Sequence, residues 1–72
     1  MYYVLLEKQP GERWTIQFSD EDRETVEDER YSYEEYNDAP AGTRPIYKVI
    51  AVRNDRQATI DAAVAKLNAK GI

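Results

Sequence analysis

The apolar run at the start of the chain, Tyr-Tyr-Val-Leu-Leu-Glu over residues 2–7, constrains the fold most. It is apolar on both faces over most of its length, which is typical of the central strand of a sheet. Pro10-Gly11 then predicts a turn. A second strand, Trp14–Ser19, alternates apolar and polar residues, so Trp14, Ile16 and Phe18 are expected on one face. The two strands predict an antiparallel hairpin.

A helix is predicted over Asp20–Tyr36, because no Gly or Pro interrupts this segment and its first turn is acidic. Ser19 or Asp20 is expected to cap its N-terminus. On a helical wheel one narrow stripe is apolar and is flanked by two arginines. The stripe and its flanks are Val26, Tyr33 and Tyr36, with Arg23 and Arg30. Tyr33 and Tyr36 are therefore expected in the core.

The second half of the chain predicts a loop, a strand and a helix. Asn37–Pro45 is rich in turn residues, and Ile46–Arg53 follows as a third strand. Asn54, with Gln57 three residues on, matches a capping box that opens the second helix. Its expected apolar stripe and C-cap are Ile60, Ala63, Val64 and Leu67, then Gly71.

These elements predict one domain over residues 1–72 of the α+β class, in the order β-β-α-β-α. The simplest arrangement is a small two-layer domain, a three-stranded sheet with both helices on the same face. The face that carries Trp14, Ile16 and Phe18 is then expected to meet the second helix. The opposite face of the sheet is expected to be free.

The residue types exclude most site chemistry. The chain has no cysteine and no histidine, so it lacks disulfides, the usual zinc and copper ligands, and Ser-His or Cys-His catalytic pairs. Asp20, Asp22 and Glu24 resemble the start of a calcium loop, but Thr25 and Tyr31 replace its required Gly and Glu. We expect a protein that is not an enzyme and has no catalytic residue, no cofactor and no metal site.

Charge is distributed very unevenly along the chain. Residues 19–38 hold ten of the fourteen acidic residues and two arginines, a net charge of −8, whereas the rest of the chain carries +4. Such a segment can simply keep a small protein soluble. However, Glu24 and Asp28 stand four residues apart, where like charges destabilise a helix. Tyr31 is predicted opposite Val26 and therefore exposed among carboxylates.

Three functional hypotheses follow from this charge distribution. The first is binding of a protein partner through the acidic helix, with Tyr31 as an aromatic anchor. Its five carboxylates are Asp20, Glu24, Glu27, Asp28 and Glu35. The second is nucleic-acid binding through the bases Lys48, Arg53, Arg56, Lys66 and Lys70. It is disfavoured by a pI near 4.7 and by the lack of a nucleic-acid-binding motif. The third is a homodimer or larger homo-oligomer formed through the free sheet face.

Two stretches, Trp14–Arg30 and Arg56–Asn68, resemble small accessory proteins of tailed bacteriophages and prophages. The resemblance implies a bacterial host cytoplasm and an action by binding and inhibiting a host protein. It brings no site residues, because that group has no defined ones. A cytoplasmic location also agrees with an N-terminus unlike a signal peptide. No membrane association is expected, since no apolar run approaches the roughly 20 residues of a membrane span.

Overall fold

The computed structural model describes residues 1–36, 39–40 and 42–70. Its elements, in chain order, are β1 Tyr2–Lys8, β2 Trp14–Asp20, α1 Arg23–Glu35, β3 Ile46–Val52 and α2 Gln57–Ala69. The predicted α+β class, the three-stranded sheet and the β-β-α-β-α order are confirmed. Of the predicted loop 37–45, residues 37, 38 and 41 lie outside the described part.

The predicted hairpin joins β1 and β2 through a tight turn. The Glu12 amide donates to the Gln9 carbonyl at 2.9 Å, and Gly11 has a φ of +77°. Pro at the second position and a positive φ at the third are the features of a type II turn. Gly11 is required there because a side chain disfavours that backbone conformation.

β1 occupies the centre of the sheet, as its apolar run predicts. The strand order is β2-β1-β3, and both pairings are antiparallel. Val4, Leu5 and Leu6 have no exposed surface. Because neighbouring residues of a strand point to opposite faces, burial of all three requires cover on both faces of the sheet.

A β-bulge in β2 changes which face its apolar residues occupy. Leu6 pairs with Ile16, but Leu5 pairs with Phe18, so Gln17 has no partner across the strands. The extra residue places Phe18 on the Leu5 face and Ile16 on the Leu6 face. The prediction that Trp14, Ile16 and Phe18 share one face is therefore wrong for Phe18, since strict alternation cannot foresee an inserted residue.

The two helices lie on opposite faces of the sheet. Ile60 of α2 belongs to a buried cluster with Val4, Leu6, Trp14 and Val52, all on one face. The ring of Tyr33 in α1 lies 5.5 Å from that of Tyr47, which pairs with Glu7 and so belongs to the Leu5 face. The expected placement of both helices on one face, with the other face free, is wrong: the sheet lies between the helices.

The second helix begins later than its sequence suggests. Arg56 is its N-cap and provides no side-chain capping bond. The side chain of Asn54 instead accepts from the Arg56 amide at 3.0 Å, within the connection before the helix. The capping box predicted from Asn54 is therefore absent at this helix start, and the predicted cap at Gly71 lies outside the described residues.

A pair of hydrogen bonds fastens the end of α2 to the start of β2. The Trp14 amide donates to Asn68 Oδ1 at 2.8 Å, and Asn68 Nδ2 donates to the Trp14 carbonyl at 3.4 Å. Trp14 is 5% exposed. These bonds hold α2 against the sheet, where the helix covers the indole of Trp14.

Candidate acidic-helix interface

The start of α1 uses two of the acidic residues for local structure. Asp22 is the N-cap, accepting from the Glu24 amide at 3.4 Å and from the Thr25 hydroxyl at 2.7 Å. Asp20 ends β2 and accepts from the Asp22 amide at 2.8 Å. The predicted helix thus exists but begins at Arg23, and neither Ser19 nor Asp20 is its cap. Asp20 supports the turn into the helix.

The pKa of Asp22 reflects this capping role. The hydrogen bond from the Thr25 hydroxyl lowers the pKa of the Asp22 carboxyl below its ordinary value. Desolvation, the next largest effect, raises the pKa, and the amides of Glu24 and Thr25 each lower it by a smaller amount. All three donors favour the ionised carboxylate, so the cap works best when Asp22 is charged.

One flank of α1 carries a chain of ion pairs. Arg30 Nε lies 2.9 Å from Glu27 Oε1, and Arg23 Nε lies 3.6 Å from Glu27 Oε2. Arg30 Nη1 also approaches Glu34 Oε1 at 3.7 Å. Glu27 was predicted to contribute to the binding surface, but its charge is shared between two arginines. It therefore contributes little to the field outside the helix.

The outer face of α1 brings together four of the residues that were predicted to bind a partner. Glu24, Asp28, Tyr31 and Glu35 follow one another at spacings of four, three and four residues, which places them in a single line on a helix. All four are exposed, and Tyr31 is 68% exposed. We call these four residues the acidic stripe. It lies opposite Val26, which is fully buried.

No base neutralises the acidic stripe within the described residues. The ion pairs of α1 all involve Glu27 or Glu34, and the last turn of the helix contains no basic residue. Residues 20–36 carry nine acids and two arginines, a net charge of −7. Both arginines lie on the paired flank, so the three stripe carboxylates keep their charge. The other acids of the segment without an ion pair among the described residues are Asp20, Glu21, Asp22 and Glu29.

The other two tyrosines of the segment differ from each other. Tyr33 is half-buried and packs on Tyr47, whose hydroxyl donates to Glu7 Oε2 at 2.7 Å. Tyr36 is 83% exposed and caps the end of the helix. The prediction that Tyr36 belongs to the core is wrong, because α1 ends before that residue reaches the sheet.

The five basic residues proposed for nucleic-acid binding are divided between two parts of the structure. Lys48, Lys66 and Lys70 line a groove of about 240 Å³ between β3 and α2. Arg53 and Arg56 are exposed in the connection between those elements. Sequence reasoning missed the groove, because Lys48 and Lys66 come together only through the packing of α2 on the sheet.

The described residues offer neither a metal site nor a membrane-spanning helix. Over residues 1–36, 39–40 and 42–70, no three potential ligands among Asp and Glu side chains are grouped so as to hold a metal ion. No helix in the same ranges is long and apolar enough to cross a membrane. Asp20 and Asp22, the first members of the calcium-like sequence, bond instead to backbone and hydroxyl donors.

Comparison of the chain with protein-family models, with curated proteins and with solved structures found no match.

Proposed function

We propose that this chain is a binding protein that docks the acidic stripe of α1 onto a basic surface of a protein partner. The observation that carries the proposal is the separation of charge around α1. One flank pairs its acids with Arg23 and Arg30, while the outer line leaves three carboxylates unpaired around an exposed tyrosine. This arrangement suits a partner with bases around an apolar pocket.

The stripe lowers the stability of its own helix, which supports a role beyond folding. Glu24 and Asp28 repel each other at a spacing of four residues. Glu35 lies in the last turn, where the helix dipole disfavours negative charge. Unfavourable local choices of this kind are found where a surface serves function.

Tyr31 is the expected anchor of the complex. Its ring is exposed between Asp28 and Glu35, and tyrosine is enriched among the residues that dominate binding energy. The carboxylates would accelerate the encounter and select a basic partner, whereas the ring would supply buried area. Replacing Tyr31 with alanine should therefore speed dissociation, and neutralising the carboxylates should slow association.

The test is affinity capture from bacterial lysate with charge-matched variants. The stripe variant carries Glu24→Lys, Asp28→Lys and Glu35→Lys. The control carries Glu12→Lys, Asp55→Lys and Asp61→Lys, three exposed acids outside the segment. Both triple variants change the net charge equally. The proposal expects a protein retained by the wild type and the control but lost from the stripe variant, with circular dichroism unchanged. Equal capture by all three would remove the proposal.

The nucleic-acid hypothesis has a distinct outcome in a gel-shift assay. Binding through the lysines would weaken steeply with salt and would survive the stripe substitutions. Each face of the sheet is contacted by a helix, so the sheet offers no free face for the proposed assembly into homo-oligomers.

We place the proposed binding in a bacterial cytoplasm, with a host protein as partner. This part of the proposal comes from the resemblance to bacteriophage accessory proteins and not from the geometry of the stripe. Capture from bacterial lysate tests it directly, since a lysate from an unrelated cell type should then yield no stripe-dependent partner.

A further inference from the structure

The groove between β3 and α2 is a second surface with a defined chemistry. Lys48, Lys66 and Lys70 surround it, and the apolar side chains of Ile50, Ala63 and Leu67 form its floor. The lysines are exposed, whereas the three floor residues are half-buried. Lysine stems can extend this apolar floor while their ammonium groups stay in water.

The groove carries positive charge, and no acidic side chain in the described part of the chain forms an ion pair with it. None of the residues lining it is acidic. Across the described ranges the three ion pairs all belong to α1, so none involves these lysines. A fitting ligand therefore brings carboxylates on either side of an apolar or aromatic group.

The acidic stripe of α1 has this composition. By the rise of an α-helix, Asp28 lies about 4.5 Å and Glu35 about 6 Å along the axis on either side of Tyr31. Lys66 of α2 and its C-cap Lys70 are about 6 Å apart along the axis, less than the distance of about 10.5 Å between Asp28 and Glu35, and the long lysine side chains can span the difference. The ring can thus enter the apolar floor while the flanking carboxylates approach ammonium groups at the rim.

We propose that the lysine groove binds the acidic stripe of a second copy of this chain. The stripe and the groove lie on opposite sides of the sheet, so one molecule cannot join its own two surfaces. The contact is head-to-tail, and it produces chains or rings rather than a symmetric two-fold dimer.

The contact is expected to be weak and sensitive to salt. Exposed ion pairs contribute little individually, and a single helix in a small groove buries less area than a standard stable interface. The inference rests on the proposed function, because it uses the same stripe as a binding surface. A basic partner and a second copy would then compete for that stripe.

Two variants that replace charged side chains with neutral ones separate the two halves of the contact. The first carries Glu24→Gln, Asp28→Asn and Glu35→Gln, and the second carries Lys48→Gln, Lys66→Gln and Lys70→Gln. Sedimentation velocity is run at an ionic strength of about 0.01 M, where charges interact over roughly 30 Å. The wild type should form species larger than a dimer as concentration rises, and each variant alone should remain monomeric. An equimolar mixture should form a 1:1 dimer and nothing larger, because only one intact stripe and one intact groove can meet.

Three results would overturn the inference: a wild type that stays monomeric, variants that associate like the wild type, or a mixture that stays monomeric. The lysate capture described above distinguishes this failure from failure of the proposed function. If the lysine variant keeps both self-association and partner capture, only the groove is excluded. If the carboxylate variant loses self-association but still captures the partner, the stripe is not the partner-binding surface.

Discussion

At the scale of single residues, side-chain hydrogen bonds hold the ends of both helices in place. Asp22 caps α1 through the Glu24 amide and the Thr25 hydroxyl, and Asn68 joins the end of α2 to Trp14. Asp22 thus accepts from a backbone amide in the first turn of its own helix, and Asn68 both accepts from and donates to the backbone of a neighbouring strand.

The Thr25 hydroxyl is the main cause of the lowered pKa of Asp22, and a substitution can test this. Because its pKa is depressed, its contribution to stability is present above the unfolded-state pKa and is lost as pH falls through the lower folded-state value. Thr25→Val removes the strongest donor, so it should raise the pKa of Asp22 toward the ordinary range. An NMR titration of the Asp22 carboxyl carbon measures this shift. An unchanged pKa in the variant would show that the hydroxyl does not hold the carboxylate.

The Asn68 contact should be important for stability despite its small size. Asn68→Ala removes the side chain that accepts from the Trp14 backbone amide, at a cost of about 1–3 kcal/mol in the free energy of unfolding. Asn68→Asp keeps the acceptor but replaces the donor of the 3.4 Å bond with a carboxylate oxygen facing the Trp14 carbonyl, and it places negative charge in the last turn of α2. Its loss of stability should therefore be smaller at acidic pH, where the new carboxyl group is protonated. Urea denaturation of the three proteins at neutral and acidic pH provides the comparison. An Asn68→Ala protein as stable as the wild type would contradict this assignment.

At the scale of elements, one side of α1 packs on the sheet and stabilises the fold, whereas the acidic side and last turn destabilise the helix. Val26 is buried against the sheet, and the arginine flank is paired. The last turn carries Glu34 and Glu35 and no base. Glu34 lies near Arg30. Glu35 has no ion-pair partner among the described residues and lies at the negative end of the helix dipole.

Glu35→Lys should therefore stabilise the fold while weakening partner binding. The cation suits the end of the helix, and the expected gain is about 0.3–1 kcal/mol in the free energy of unfolding. The same change removes one of three carboxylates from the acidic stripe. Thermal unfolding measures the first effect, and capture of the stripe-dependent protein measures the second. A variant that loses stability would contradict the reading of Glu35 as a locally unfavourable residue.

The bulge in β2 makes a second prediction at this scale. Deleting Gln17 removes the unpaired residue but keeps Ile16 opposite Leu6 and Phe18 opposite Leu5. The deletion should leave the fold intact, because no apolar side chain changes face. Deleting Thr15 instead would turn Trp14 away from α2, and the cost should resemble loss of a core aromatic, about 3–5 kcal/mol. Two-dimensional NMR spectra of both deletions distinguish the cases.

At the scale of the whole molecule, charge and core are divided by the sheet. One side carries α1 and its acidic stripe, and the other carries α2 and the lysine groove. Only seven apolar side chains of the described residues are buried, so the core is thin for a chain of 72 residues. In such a domain, repulsion within the acidic segment is a considerable part of the energy balance.

Salt should consequently stabilise this protein. Residues 20–36 carry a net charge of −7, and screening weakens their mutual repulsion. At a protein concentration too low for self-association, the melting temperature should rise between ionic strengths of about 0.01 M and about 0.15 M. It should rise less in the Glu24→Gln, Asp28→Asn, Glu35→Gln variant. A melting temperature that falls with salt would show that the ion pairs of Arg23 and Arg30 outweigh the repulsion.

The sequence by itself determined the features that depend on short stretches of chain. The type and order of the elements, the Pro10-Gly11 turn, the central position of β1 and the exposure of Tyr31 all follow from local periodicity or turn chemistry. The pairing of Glu27 with Arg30 is also local. The two residues are three positions apart, so the positions of opposite charges along the predicted helix are sufficient to predict it.

Only the tertiary structure decided which residues meet across the sheet. The bulge that moves Phe18 to the other face depends on pairing with β1, and the groove at Lys48 depends on where α2 packs. The helix faces illustrate the same limit: the expected contact of α2 with Trp14 is confirmed, but no local pattern placed α1 on the opposite face of the sheet. Periodicity records the geometry of one element, whereas the assignment of faces arises from contacts between residues distant in sequence.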